Sequence, residues 1–298
     1  MPFKSYKYAA IDIGSNAIRL LIATVNMIND EKPVFKKTSL VRVPIRLGQD
    51  VFTTGSISDT NLNRMVDTMK SYQMLMGVHQ VQEYRAYATS AMREAANGHE
   101  VTALIKEKSG INIEIIDGNH EAAVIAMTDL HSIIDPDKVY LYVDVGGGST
   151  EFTLYANGKG VTSRSFKIGT VRLLNDMVTK NLWTEAEEWI KDITKYYEKI
   201  TLIGSGGNIN NIYKSSLKSS GKPLSYFYLS GYYEKLQSYT YEERMYYLNL
   251  NQDRADVIIP ACRIYLSAMK WSGAKNIIVP KIGLADGIIK SIFNASKR

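Results

Sequence analysis

The chain opens on apolar runs that stop abruptly. YKYAAIDIG and AIRLLIATVN lie on either side of Gly14-Ser15, and VFKKTSLVRVPIRLG follows. Apolar runs bounded by turn residues predict strands, so the first two are expected to form a hairpin and the third to join it. A polar stretch comes next. In DTNLNRMVDTMKSYQMLMGVH the apolar residues recur at helical spacing. VQEYRAYATSA predicts a strand running into a turn, AANGHEVTALIKEKSG a helix closed by Gly110, and INIEIIDG another strand.

A second series has the same plan. KVYLYVDVGGG predicts a strand ending in an aspartate and glycines, and STEFTLYANGKGVTSRSFKIG two strands around Asn157-Gly158. LWTEAEEWIKDITKYYEKI is helical in pattern, and TLIGSGGNINNIYK predicts a strand, a glycine turn and a helix start. ADVIIPACRIYLSAMKWSGA predicts a helix, and NIIVPKIGLADGIIKSIFN a last strand, a turn and a closing helix. Residues 226–247 hold eight tyrosines with charges interleaved at helical spacing. That interleaving predicts amphipathic helices rather than a stacking platform for a base.

The two series share one motif. AIDIGSNAIRLLIA and YVDVGGGSTEFTLY both give apolar strand, Asp, X, Gly, small residues, strand, with Asp12 and Asp144 separated by 132 residues. Each segment in isolation is explained by a strand and a turn bonded by a polar side chain. As a pair they suggest two glycine loops presenting backbone N–H groups to a phosphate chain, because glycine permits close approach and successive N–H groups form an anion-binding concavity. A carboxylate ending a core strand is costly unless its charge is compensated. Asp12 and Asp144 are therefore expected beside a divalent cation accompanying the phosphates, with Glu151 in reach on the strand leaving the second loop. Magnesium takes one or two carboxylates together with waters and phosphate oxygens.

Composition narrows the field. The 298 residues are 45% hydrophobic and 22% charged, as in soluble globular proteins. The one cysteine, Cys262, lies in the apolar run VIIPACRIYL, which predicts a buried thiol and a reducing, cytoplasmic setting. No apolar stretch is long enough to span a bilayer, and the N-terminus lacks a signal-peptide pattern. Residues 1–151 carry 15 Lys+Arg against 18 Asp+Glu, a net of −3, and residues 152–298 carry 21 against 12, a net of +9. A basic half favours anionic partners. No basic amphipathic run or nucleic-acid motif points to a membrane surface or to nucleic acid. Arg93, Lys167 and Arg172 are candidates for a basic channel, with solvated surface charges as the alternative. Gly204-Ser205-Gly206-Gly207-Asn208 precedes a helix whose N–H groups could take phosphate. Glu121, opening EAAVIAMTDL, is accounted for in isolation by the helix dipole.

Taken in order, IDIGSNAIRLLI, ATSAMREAANG, EIIDGNHEAAVIA, VDVGGGSTEF, FKIGTVRL, IGSGGNINNI, RADVIIPA and GLADGII resemble the motifs of the exopolyphosphatase / guanosine pentaphosphate phosphohydrolase (Ppx/GppA) family. That family belongs to the acetate/sugar kinase–Hsp70–actin superfamily. The resemblance implies an α/β fold of two similar actin-like ATPase (ribonuclease H-like) domains flanking a cleft, without the helical C-terminal domain of longer members. The expected boundaries are 1–124 with about 286–298, and 125–285. It implies removal of terminal phosphate from polyphosphate or guanosine pentaphosphate with Mg2+ or another divalent cation. Glu121 falls at the family's general base. Phosphate contacts fall on Gly14, Ser15, Asn16, Arg93, Gly146, Gly147, Gly148, Ser149 and Thr150, with Gly206 and Gly207 added from the third glycine turn. Asp12, Asp144 and Glu151 are the expected metal ligands. No nucleic-acid or membrane partner is expected, and a homodimer is left open. His120, Ala17, Asp117 and Ala285 depart from the family pattern. These departures keep a non-catalytic phosphate binder in view, and the superfamily keeps an ATP-dependent kinase.

Overall fold

The computed structural model describes residues 3–29, 31–128, 130 and 133–297. The chain divides into two compact units, Met1–Thr128 with Leu284–Arg298, and Asp129–Gly283.

The first unit opens with the expected hairpin. Strand β1 (Phe3–Ile13) pairs antiparallel with β2 (Ile18–Ile28), and β2 pairs with β3 (Val34–Val43). Helices α1 (Leu47–Thr54) and α2 (Asp59–Val78) follow. Strand β4 (Glu83–Ala88) lies parallel to β1 on its other side. Helices α3 (Ser90–Glu94) and α4 (Gly98–Ser109) lead to β5 (Ile113–Ile115), parallel to β4, and to α5 (Gly118–Ala126). The sheet order is β3-β2-β1-β4-β5. As the middle strand, β1 is buried on both faces from Tyr8 to Ile13, which is why its sequence is an apolar run rather than an alternation.

The second unit repeats the order. Strands β6 (Val139–Val145), β7 (Thr150–Ala156) and β8 (Lys159–Phe166) form an antiparallel meander. Helices α6 (Thr170–Leu174) and α7 (Lys180–Thr194) lead to β9 (Ile200–Ser205), parallel to β6. Then come α8 (Gly207–Ser215), β10 (Leu224–Ser225), α9 (Tyr226–Ser238), α10 (Tyr241–Tyr247), α11 (Gln252–Ala255) and α12 (Ile258–Ser272). Strand β11 (Asn276–Ile278) lies parallel to β9. The sheet order is β10-β11-β9-β6-β7-β8. Without the short edge strand β10 it matches the first sheet strand for strand. The chain then returns to the first unit as α13 (Leu284–Ala295), which packs on β1, β2, β4 and α5.

Three segments differ from expectation. The polar stretch after β3 contains α1, whose buried face is only Leu47, Gly48, Val51 and Phe52, too short for its period to stand out. The segments after β4 and β8 contain the short helices α3 and α6 rather than plain turns. The tyrosine-rich segment does form helices: α9 buries Leu229, Tyr232 and Leu236, while α10 buries none of its residues and carries Tyr246 and Tyr247 outward. Gly110 and Gly273 end α4 and α12 in the left-handed conformation. No helix among the described residues is long and apolar enough to cross a membrane.

Helices α13 and α5 meet at backbone distance. A Cβ at Gly287 would lie 2.1 Å from the Val124 carbonyl oxygen. Alanine at a helix interior is ordinarily favoured over glycine by about 1 kcal/mol, but overpacking costs about 1–3 kcal/mol, and the obstacle here is backbone that cannot rotate aside. Gly287→Ala is therefore expected to lower unfolding stability by about 1–2 kcal/mol in urea. A more stable variant would show that the helix pair separates at no cost.

Candidate functional site

The two repeated loops are closed by the same hydrogen bond. The Gly14 N–H donates to the Ala17 carbonyl at 3.2 Å, and the Gly146 N–H to the Ser149 carbonyl at 2.9 Å. Each loop therefore turns the chain from the central strand into its antiparallel neighbour, with Ile13 paired to Ile18 and Val145 to Thr150.

Each loop is also held from the side by the segment that follows the third strand of its sheet. In the first unit, the Arg46 N–H donates to the Asn16 carbonyl (3.0 Å) and the Gly48 N–H to the Ser15 carbonyl (2.7 Å). A Cβ on Gly48 would lie 2.9 Å from that of Ser15. In the second unit, the Thr170 N–H donates to the Gly146 carbonyl (3.0 Å), the Val171 N–H to the Gly147 carbonyl (2.9 Å) and the Arg172 Nε–H to the Gly148 carbonyl (2.8 Å). A Cβ on Gly169 would lie 2.2 Å from the Gly147 oxygen, so only glycine fits. In a planar trans peptide the N–H points opposite to the carbonyl. With these carbonyls tied to the flanking segment, the N–H groups of Asn16 and Ala17, and of Gly147, Gly148 and Ser149, face away from it. The second loop thus turns three successive N–H groups to one side, the arrangement that binds anions.

The repeat diverges at its charges. Asp12 faces Arg19 across the β1–β2 pair, whereas Asp144 faces Glu151 at the matching position of β6–β7. The Asp12 carboxylate is buried and lies 3.1 Å from the Arg19 guanidinium. Burial pushes its pKa up, and Arg19 offsets part of that rise. The cationic neighbour of Asp12 in the first unit is thus a side chain. Glu151 is buried, and its Oε1 accepts hydrogen bonds from the hydroxyls of Ser149 (2.6 Å) and Ser165 (2.9 Å). Below Asp144, the phenols of Tyr142 and Tyr265 are pushed well above their ordinary range by burial first and by the Asp144 charge second. Gly206, at positive φ, brings the turn after β9 against the second loop: a Cβ there would lie 2.9 Å from the Val145 oxygen and 3.5 Å from Asp144 Oδ1. Gly207 begins α8. Among the described residues no group of three or more His, Cys, Asp or Glu side chains is gathered as a metal site.

In the first unit, the hydroxyls of Ser15 and Ser90 share a hydrogen bond at 2.9 Å, which joins the loop to α3. Arg93, on α3, donates from Nη1 to the Ile116 carbonyl at 2.6 Å. The next residue, Asp117, caps α5 by accepting the His120 N–H at 2.7 Å. Glu121 occupies the first turn of that helix, partly exposed. The His120 ring stacks edge-on against Tyr87 at 5.3 Å. Loop, Arg93 and the Glu121 helix are thus linked through named bonds within one unit.

Sequence reasoning missed Arg19, Ser90, Ser165 and the two flanking glycines. A signal existed for some of these: Arg19 and Glu151 both stand seven residues after the repeated aspartates, and RLG at 46–48 matches KIG at 167–169. Arg172 was a candidate for a basic channel. It is buried, with 7% of its surface exposed, and its Nε serves the Gly148 carbonyl.

Arg19→Met leaves the buried Asp12 carboxylate without its cation. Removing one partner of such a pair costs up to about 3–5 kcal/mol when fully buried. With Arg19 one-third exposed, a loss of about 2 kcal/mol at pH 7 is expected. The sign follows from the raised pKa: without Arg19 it rises further, and the protonated acid has no charge to bury. The deficit should therefore shrink when denaturation is repeated at pH 5. An equal deficit at both pH values would assign Arg19 a packing role alone.

The Ppx/GppA phosphatase family matches residues 25–295. A bifunctional 3-dehydroquinate synthase/phosphatase of Fusobacterium nucleatum is 32% identical over 221 residues, 67% of this chain and 32% of that protein. Exopolyphosphatase 2 of Mycobacterium tuberculosis is 33% identical over 175 residues, 56% of this chain and 53% of that one. The matches thus span about a third and about half of these relatives. Among solved structures, the Ppx/GppA family member of Aquifex aeolicus aligns with a TM-score of 0.76 at 26% identity, covering 99% of this chain and all of that one. An exopolyphosphatase of Cytophaga hutchinsonii aligns at 0.83 and 23% identity, covering 97% and 98%. These likenesses bear out the expected α/β fold of two actin-like units. With a family match that runs from residue 25 to residue 295, the chain belongs to the Ppx/GppA phosphatase family.

Proposed function

We propose that the protein is a metal-dependent phosphohydrolase that removes the terminal phosphate of inorganic polyphosphate, with guanosine pentaphosphate as the second candidate substrate. The observation that carries this reading is the second loop: three N–H groups turned to one side, bounded by Asp144 and Glu151 on facing strands. The name of the Mycobacterium relative supports polyphosphate as substrate.

In this reading the N–H groups of Gly147, Gly148 and Ser149 bind phosphate oxygens in the second unit. Ser15 and the N–H groups of Asn16 and Ala17 do so in the first. Arg93, also in the first unit, offers the guanidinium nitrogens not bonded to Ile116 to a phosphate oxygen there. Glu121 takes a proton from water, the water oxygen bonds to the terminal phosphorus, and the bridging P–O bond breaks with its electron pair leaving on the shortened chain. Two carboxylates are the hard oxygen donors that magnesium takes along with waters and phosphate oxygens, so Asp144 and Glu151 fit a divalent cation. That cation would supply charge neutralisation at the phosphate. Asp12, already paired with Arg19, serves that pair.

Phosphate release is measured from polyphosphate, guanosine pentaphosphate and ATP, with magnesium and with chelator. Release from polyphosphate, abolished by chelator and needing no acceptor, is expected; transfer only to an added acceptor would mean a kinase, and binding without release a sensor. Glu121→Gln keeps the shape and removes the proton acceptor, so turnover should fall about 10²–10⁴-fold with little change in affinity. Glu151→Gln should instead raise the magnesium concentration needed for half-maximal rate, with the rate partly recovered at high magnesium. Wild-type turnover in Glu121→Gln would remove that residue from the mechanism.

A further inference from the structure

The three carbonyls of the second loop are held by different means. Gly146 and Gly147 are held by backbone N–H groups, which any non-proline sequence supplies. The third, Gly148, is held by a side chain, the Nε–H of Arg172. Arg172 is 7% exposed and sits on α6, directly after the glycine that fits against Gly147. We propose that Arg172 is a positioning residue: through its Nε–H it fixes the Gly148–Ser149 peptide so that the Ser149 N–H faces the phosphate. The proposal rests on the reading of residues 146–150 as a phosphate loop.

The physical argument is one of orientation. A glycine-rich loop has several accessible backbone conformations, and a peptide that flips exchanges an N–H for a carbonyl oxygen. At an anion site that exchange replaces an attractive dipole by a repulsive one. The Gly148–Ser149 peptide is held against flipping by the bond its carbonyl accepts. A cation in an open channel would act by Coulomb attraction, and any cationic side chain of similar length would serve. A donor at one fixed position is a narrower requirement.

Side-chain lengths separate the two roles. Glutamine Nε2 and arginine Nε occupy the same place, the fourth side-chain atom with Cβ as the first, so Arg172→Gln keeps the N–H and removes the charge. Arg172→Met keeps the length and has no donor. Arg172→Lys keeps the charge but carries its nitrogen one atom further out. Inorganic tripolyphosphate is titrated into each ¹⁵N-labelled full-length protein, following the amides of Gly147, Gly148 and Ser149, and Kd is taken from the shifts. Steady-state hydrolysis supplies KM and kcat. The expected order places Arg172→Gln above both Arg172→Met and Arg172→Lys, which bind about tenfold more weakly than it, the scale of one hydrogen bond to a charged group. The loss should appear in KM more than in kcat, as for uniform binding, and the Ser149 amide should lose its response to tripolyphosphate in the weak variants.

Lysine binding as well as wild type while glutamine binds poorly would overturn the proposal in favour of charge. Equal affinity and equal Ser149 response in all four proteins would overturn it outright. If Arg172→Met fails to fold, the order of glutamine against lysine decides alone. A wild-type protein whose three amides ignore tripolyphosphate fails differently: it removes the phosphate-loop reading and the Arg172 role with it.

Discussion

The candidate chemistry depends on one constraint, the tying of loop carbonyls to a neighbouring backbone. A glycine loop by itself has too much conformational freedom to be an anion site. In both units the freedom is removed by a segment that arrives from the third strand of the sheet and donates N–H groups to the loop carbonyls. The contact is close enough that Gly48 and Gly169 have no space for a Cβ. Once the carbonyls are committed, peptide planarity directs the opposite N–H groups outward. The outward orientation of these N–H groups is thus set by hydrogen bonds on the opposite side of the loop.

The duplicated scaffold then carries different charges. Facing residues on neighbouring antiparallel strands lie close, and like charges there repel. Arg19 opposite Asp12 gives an attractive pair that offsets part of the cost of burying the acid. Glu151 opposite Asp144 gives a like-charged pair. The hydroxyls of Ser149 and Ser165 donate to Glu151 there. One substitution at equivalent positions of the repeat therefore exchanges an acid–arginine pair for two facing acids.

The helix that carries Glu121 is fixed with similar economy. Its start is set by the Asp117 cap and by the Arg93 bond to the residue before it, and its far end by the backbone contact at Gly287. That last contact comes from the C-terminal helix, far away in sequence. The three constraints on this helix come from three separate segments of the chain.

Much of this was legible in the sequence. The succession of strands and longer helices along the chain follows from apolar runs, two glycine turns and a helical period, and the repeat of Asp-X-Gly between strands marked both loops. Nothing in the helical pattern singles out Glu121, because an acid in a first helical turn has an ordinary explanation in the helix dipole; its proposed role rests on the family resemblance. Helices α1, α3 and α6 escaped because five to eight residues are too few for a 3.6-residue period to show. The partner of Asp12 escaped because cross-strand pairing is a matter of register, and register is fixed only when the hairpin forms. Arg172 could be seen in the sequence only as a positive charge. That it is buried and spends its Nε on a carbonyl 24 residues away is decided by how α6 packs against the loop. The sequence by itself determined which residue types were available and how the strands alternate. Tertiary structure decided which charges are neutralised internally and which N–H groups are left facing outward, because both depend on contacts between segments far apart along the chain.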